Sequence, residues 1–255
     1  MCLKNVEINE PDNQYKKSIV LFLDILGFSN MVKNSKEEDV EQIFEILRYI
    51  NAWNSKDGVN DLIEAKDLVD ENYIDYATID FKKIKEELKV SYFSDSLVVT
   101  LSYSDDEFNK KLFLMVRATA YLQTKLAAAN YFTRGGIAIG NMFHTGNIFF
   151  GPAFLEAYEL ENLANYPRVI LSRNIEKNVD FKMPYLKKAE DGIWYIDFLA
   201  FAKNTENPTN PYISLIKEKI NSNIAKNIDN IKIRSKYTWL KKQLKKINHT
   251  RGKQK

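Results

Sequence analysis

Apolar and polar positions along the chain follow two periods. Residues 18–26 (SIVLFLDIL) form a nearly unbroken run of β-branched and large apolar side chains, ended by Gly27. Such a run predicts a strand buried on both faces. Over 37–53 the apolar residues Val40, Ile43, Phe44, Leu47 and Ile50 recur at helical spacing. The charged stretch at about 54–88 reads as a surface insertion with one short helix near 61–69. Residues 89–102 (KVSYFSDSLVVTLS) predict two strands joined at a tight turn around Ser94-Asp95-Ser96. Asp105 is placed to cap a helix burying Phe108, Leu112, Met115, Thr119, Leu122 and Leu126. A strand pair follows at 132–140 and 142–149, then a helix at 154–164 and short strands at 169–171 and 193–199. The order is β-α-β-β-α-β with additions, an α/β (α+β) fold of the ferredoxin-like, split βαβ kind. Asn210-Pro211 is a helix-start signal. It opens an amphipathic helical extension with the stripes Ile213/Ile216/Ile220/Ile224/Ile228 and Ile233/Tyr237/Leu240/Leu244/Ile247. The chain therefore divides into a domain over 1–205 and a basic C-terminal helical extension over 206–255.

Composition changes this picture in three places. A single cysteine, Cys2, excludes an internal disulfide framework, and two histidines are too few for a histidine-based metal site. The first seventeen residues are polar, and the apolar run at 19–28 is too short to span a bilayer. A soluble, cytoplasmic protein without membrane attachment is expected. The net charge of +3 hides an asymmetry: residues 231–255 hold ten Lys or Arg and no acid, against 27 basic and 34 acidic side chains elsewhere. The tail has two readings, a nucleic-acid-binding segment or the solvated outer face of a packed helix. Residues 1–230 show no nucleic-acid-binding patch by composition, so no nucleic-acid partner is expected.

Chemistry concentrates in three segments: LFLDILGFS with Asp24, YFSDSLVV with Asp95, and TRGGIAIG with Arg134. A carboxylate in an apolar strand is costly unless it is paired or binds a metal. A neighbouring hairpin tip sets a second carboxylate beside it. Two aspartates and a backbone carbonyl make a hard-oxygen site for Mg²⁺ or Mn²⁺, ions commonly shared with substrate phosphates. Gly27 allows a sharp turn that aims the amides of Phe28 and Ser29 at phosphate oxygens, and Arg134 adds a forked cation. Taken singly, Asp24 also reads as a structural buried acid, Asp95 as a turn residue and Arg134 as an ion-pair partner.

Together the segments resemble the class III nucleotidyl cyclases. FLDILGFS (22–29) is similar to that family's F-x-D-I-x-G-F-[ST] strand. FSDSLVV resembles its metal hairpin with serine for the usual glycine, and 134–140 its R-x-G-I-x-x-G strand. GPAFLEAYELE (151–161) resembles its glycine-opened helix, and the likeness spans about 18–172. It implies that Asp24, Asp95 and the Ile25 carbonyl hold two divalent ions. It further implies that Arg134 binds the polyphosphate, and that a homodimer builds its sites at the interface. Where purine-specific relatives carry a lysine and an acid for the base, this chain has Ser91 and Ile148; Leu155 and Glu159 stand for the helix asparagine and arginine. This combination is similar to the pyrimidine cyclases of bacterial Pycsar anti-phage systems. The resemblance implies cyclisation of UTP, or secondarily CTP, to signal to a separate effector. Ser91, Tyr92, Phe93, Phe149, Phe150 and Tyr158 are candidates to meet the base, most of the aromatics having a core reading as well. The rival readings are a purine cyclase, an inactive cyclase-like nucleotide sensor and a nucleic-acid-binding protein. A diguanylate cyclase is disfavoured because the hairpin reads FSDS.

Overall fold

The computed structural model describes residues 14–52, 78–179 and 182–249. The short helix expected near 61–69 and the Cys2 segment lie outside these residues. The apolar run forms β1 (Lys16–Ile25), buried at every position from Ser18 to Leu23. Helix α1 (Phe28–Lys33), a 3-10 turn (Glu37–Asp39) and α2 (Val40–Ala52) follow. On α2, Ile43 and Leu47 pack on the main core while Val40 and Phe44 stay exposed. Helix α3 (Phe81–Glu87) leads into the hairpin β2 (Leu88–Phe93) and β3 (Ser96–Ser102). Then come α4 (Phe108–Ala128), β4 (Thr133–Thr145), β5 (Ile148–Phe150) and α5 (Pro152–Leu163). The chain continues through β6 (Val169–Leu171), α6 (Arg173–Glu176), β7 (Leu186–Lys188) and β8 (Trp194–Ile196). It ends in α7 (Phe198–Asn204), α8 (Tyr212–Lys226) and α9 (Ile231–His249).

The sheet order is β2-β3-β1-β4-β6-β8-β7, with β5 pairing off β4. β1 lies antiparallel between β3 and β4, the split βαβ arrangement expected from the element order. Alternation along β1 feeds two cores. Ile19, Leu21, Leu23 and Ile25 face a large core shared with α4, α7, α8 and α9, whereas Val20 and Phe22 face a smaller one under α5.

Four local expectations are corrected. Asp105 does not cap α4; Glu107 occupies the cap position, and Asp105 makes an exposed ion pair with Lys17 at 3.2 Å. The strand pair at 132–140 and 142–149 is instead one thirteen-residue strand, β4, whose pairing with β1 carries through Gly140 to Met142. It then turns at Gly146 into the short β5. The stretch at 193–199 is strand only to Ile196, because the Asp197 carboxylate accepts from the Ala200 amide and starts α7. Helix α4 buries more than its apolar stripe, since α7 and α8 pack on its outer side. Lys111, Arg117 and Gln123 are consequently buried too.

Two side chains brace this architecture. Lys111, 2% exposed, places its ammonium 2.5 Å from Glu87, 2.9 Å from Glu107 and 2.8 Å from the Ser102 carbonyl. Arg168 is forked onto Asp191 at 2.6 and 3.2 Å, and its guanidinium lies over the rings of Tyr166, Tyr195 and Trp239.

Helix α5 sits so close to the sheet that only glycine fits beneath it. A Cβ on Gly136 would overlap the Leu160 side chain and lie 2.6 Å from the Ala157 carbonyl. Gly136→Ala is expected to cost about 1–3 kcal/mol by forcing the helix outward. Chemical denaturation checks this, and an unchanged midpoint would contradict the packing described.

Candidate active site

Strand register assembles the site. Asp24 lies opposite Ser96 on β3 and Arg134 on β4, and directly opposed residues of antiparallel strands share a face. All three therefore point to the α5 side. Asp95 follows from the turn. Ser94 takes φ 54°, a left-handed value that favours glycine, and this tight turn sets Asp95 beside the end of β1.

The Asp24 carboxyl accepts from the Ser96 hydroxyl at 3.1 Å and has the Asp95 carboxyl as a close neighbour. Burial first, then the charges of Asp95 and Glu161, push its pKa up to about 7. Arg134 lies 4.0 Å from Asp24 and makes an ion pair with Glu161, while its Nε is buried without a hydrogen-bond partner. Burial raises the Glu161 pKa, against the opposing charge of Arg134.

Glu161 is the residue that sequence reasoning did not assign. It is the last acid of GPAFLEAYELE, delivered by the final turn of α5 and 5% exposed. The signal that finds it is its helical phase, four residues after the buried Ala157.

The other sequence-derived candidates fall in different surroundings. Gly27 takes φ 85°, and Phe28 and Ser29 form the first turn of α1 immediately after it. Phe28 buries its ring in the main core, and Ile25 closes β1 opposite Thr133. Ser91 is 1% exposed, and its hydroxyl donates to the Gly146 carbonyl at 3.0 Å. It also lies 2.8 Å from His144 Nε2, whose Nδ1 is 2.8 Å from the Thr100 hydroxyl. The serine therefore accepts from Nε2–H while Thr100 donates to Nδ1. Burial first, then the Lys89 charge, hold the His144 pKa down to about 4, so this ring is neutral at pH 7.

Tyr92 and Phe93 are exposed beyond Ser91, Phe93 at 77%. Ile148, Phe150, Leu155 and Tyr158 are also exposed, with Tyr158 edge-on to Phe22 and Phe149 edge-on to Phe154. Leu155 and Glu159 lie on the outer side of α5. A cavity of about 620 Å³ opens beside Arg134, lined also by Leu26, Gly27 and residues of α8 and α9.

Among the described residues no group of three or more His, Cys, Asp or Glu side chains is arranged to hold a metal ion. The Asp24–Asp95 pair nevertheless fits a hard divalent cation in donor chemistry and charge. Among the described residues, these two close carboxylates, one with its ionisation suppressed by burial and by its neighbour, have no compensating cation within 4 Å other than Arg134 at 4.0 Å from Asp24. No helix of the described residues is long and apolar enough to cross a membrane.

No protein-family profile and no curated protein matches the chain. Among solved structures, the chain is similar to the adenylyl cyclase CyaB from P. aeruginosa at 15% identity and a TM-score of 0.43. That match covers 72% of this chain and 94% of the other. It is also similar to an adenylate/guanylate cyclase/hydrolase from Silicibacter pomeroyi at 11% identity and a TM-score of 0.41, covering 72% of this chain and 98% of that one.

Proposed function

We propose that the protein is a nucleotidyl cyclase that closes a pyrimidine nucleoside triphosphate, UTP before CTP, into its 3′,5′-cyclic monophosphate with release of pyrophosphate. The observation that carries this reading is the strand register that sets Asp24 against Arg134 with Asp95 at the adjoining turn. Carboxylates and a guanidinium on one sheet face offer complementary partners for a metal ion and a polyphosphate, which supports this reading.

Asp24, Asp95 and the Ile25 carbonyl would hold Mn²⁺ or Mg²⁺. Such ions promote ionisation of the ribose 3′-OH and neutralise charge on the α-phosphate and leaving group. The 3′-oxygen forms the new bond to the α-phosphorus as the bond to the β-phosphate oxygen breaks, and the hydroxyl proton passes to solvent. Arg134, with its free Nε and its fork, holds the departing pyrophosphate. Glu161 keeps that guanidinium in place.

Assembly as a homodimer follows the same reading. Phe93, Ile148, Leu155 and Tyr158 leave apolar surface uncovered. Apolar patches of this kind mark interfaces. A second copy packed head to tail would cover them and bring its Glu159 towards Asp24. The cyclic product then acts on a separate effector in an anti-phage response.

Base choice rests on what the site lacks. A charged side chain matched to a purine edge discriminates strongly, because the wrong base leaves it unpaired. At the two corresponding positions this chain has Ser91, already engaged by His144 and Gly146, and the exposed aliphatic Ile148. Tyr92, Phe149 and Phe150 offer surface to a smaller ring. In competition among equal concentrations of ATP, GTP, UTP and CTP with Mn²⁺, cyclic UMP or cyclic CMP is expected to exceed the purine products by about tenfold or more. Mass identification of the products decides it, and a dominant cyclic AMP or cyclic GMP peak would refute the pyrimidine reading.

A further inference from the structure

We infer that the C-terminal helices complete the polyphosphate seat within the same chain, with Lys232 and Lys236 of α9 joining Arg134 around one anionic ligand. This inference deepens the proposed function and rests on it for the identity of the ligand as a nucleoside triphosphate.

The 620 Å³ cavity is bounded on one side by Leu26, Gly27 and Arg134 and on the other by Lys232 and Lys236. Its volume is in the range of small-molecule sites. The two lysines stand four residues apart on one helix, where like charges repel. Neither has a carboxylate within 4 Å among the described residues, in contrast with Lys242 and Lys246 further along α9. Those two share Glu190 at 2.7 and 2.8 Å. The basic tail therefore has two distinct parts: one neutralised by an acid of the domain, the other facing a cavity.

The charges inside that cavity do not balance. Arg134, Lys232 and Lys236 converge, and the acid interacting with Lys236, Glu161, is already committed to Arg134. Burial first, then the positive charges of Arg134 and Lys232, hold the Lys236 ammonium below its ordinary pKa. The buried, unpartnered Nε of Arg134 adds a donor. Uncompensated cations with a free donor beside an open volume are satisfied by a polyanion, and Arg134, 4.0 Å from Asp24, would link its seat to the carboxylate pair.

The test is calorimetric titration of the full chain with inorganic tripolyphosphate. Wild-type protein is expected to bind it, Lys236→Gln to weaken binding about tenfold and Lys232→Gln/Lys236→Gln further. Lys242→Gln/Lys246→Gln removes the same charge from the other part of the tail and is expected to bind as wild type. Thermal melting confirms that each variant folds. Unchanged affinity in the Lys232/Lys236 variant, or an equal loss in the Lys242/Lys246 variant, overturns the inference. Tight salt-dependent binding of single-stranded nucleic acid that competes tripolyphosphate off the same lysines also overturns it. The two readings fail separately. If no triphosphate is cyclised but tripolyphosphate binding still depends on Lys236, the cyclase falls and the seat stands. If cyclisation proceeds with unaltered KM in the lysine variants, the seat falls and the cyclase stands.

Discussion

Asp24→Asn is expected to abolish cyclic-nucleotide formation, by about three orders of magnitude or more, while leaving a folded protein that resists heat better at pH 8 without divalent ions. The loss of activity follows from the proposed role of Asp24 as a ligand of ions that would stabilise charge at the reacting phosphorus, an effect worth several kcal/mol. The gain in stability follows from the Asp24 pKa, which is near 3.8 in the unfolded chain and about 7 in the fold. A carboxyl with a raised folded pKa contributes its full stability below pH 3.8 and loses it as the pH climbs through 7. At pH 8 the ionised Asp24, beside Asp95 and Glu161, burdens the fold. The asparagine keeps the shape and the Ser96 contact without the charge. Mn²⁺ should raise the melting temperature of the wild type and leave that of the variant unmoved. Melting curves with and without Mn²⁺, alongside product assays, settle both parts. Turnover within tenfold of wild type would remove Asp24 from the chemistry.

Lys111→Met should cost about 3–5 kcal/mol, the usual effect of breaking a buried ion pair from one side. Glu87 and Glu107 both reach this ammonium, as does the Ser102 carbonyl. Without it, among the described residues only the more exposed Lys83 is left to pair the two carboxylates. Denaturant midpoints at pH 7 measure the effect, and a difference below about 1 kcal/mol would exclude the described role. Its pH dependence has a definite sign. Hydrogen bonds from Lys83 first, then Lys111 and Ser104, hold Glu107 well below the usual carboxylate range. A depressed carboxyl contributes stability above its unfolded pKa, near 4.5, and loses it as the pH falls. Wild type and variant should therefore converge in stability in acid.

The fold was legible where local pattern and tertiary burial agree. The run at 18–26 is apolar on both faces and becomes the central strand, and Ser94-Asp95 turns where its residues favour a turn. Order and register then bring Asp24 and Arg134 together. Misreadings arose where distant partners decide. Gly140 signals a break, yet pairing with Ser18 keeps β4 extended across it. Residues 193–199 look like a strand, but the Asp197 cap bends the chain into α7. The Ser91 hydroxyl has no local clue to its engagement, because His144 lies 53 residues away. Glu161 resembles any helix-surface acid until α5 is laid on the sheet, and the charges of 231–255 look uniform until Glu190 picks out two of them.

The position of β1 at the centre of the sheet has a consequence for synthesis. It leaves the ribosome before either neighbour, and its nearest partner along the chain is 72 residues downstream, where Ser96 meets Asp24. At cellular elongation rates that interval is roughly 4–15 s, and the wait for β4 is longer. Throughout it, SIVLFL is an unpaired apolar strand with both edges open, the kind of segment that seeds intermolecular pairing. Lys16 and Lys17 on one side and Asp24 on the other flank this run as charged gatekeepers. The aspartate proposed to bind metal would thus also guard the nascent chain. Asp24→Asn, though more stable once folded, should yield more aggregate during rapid expression.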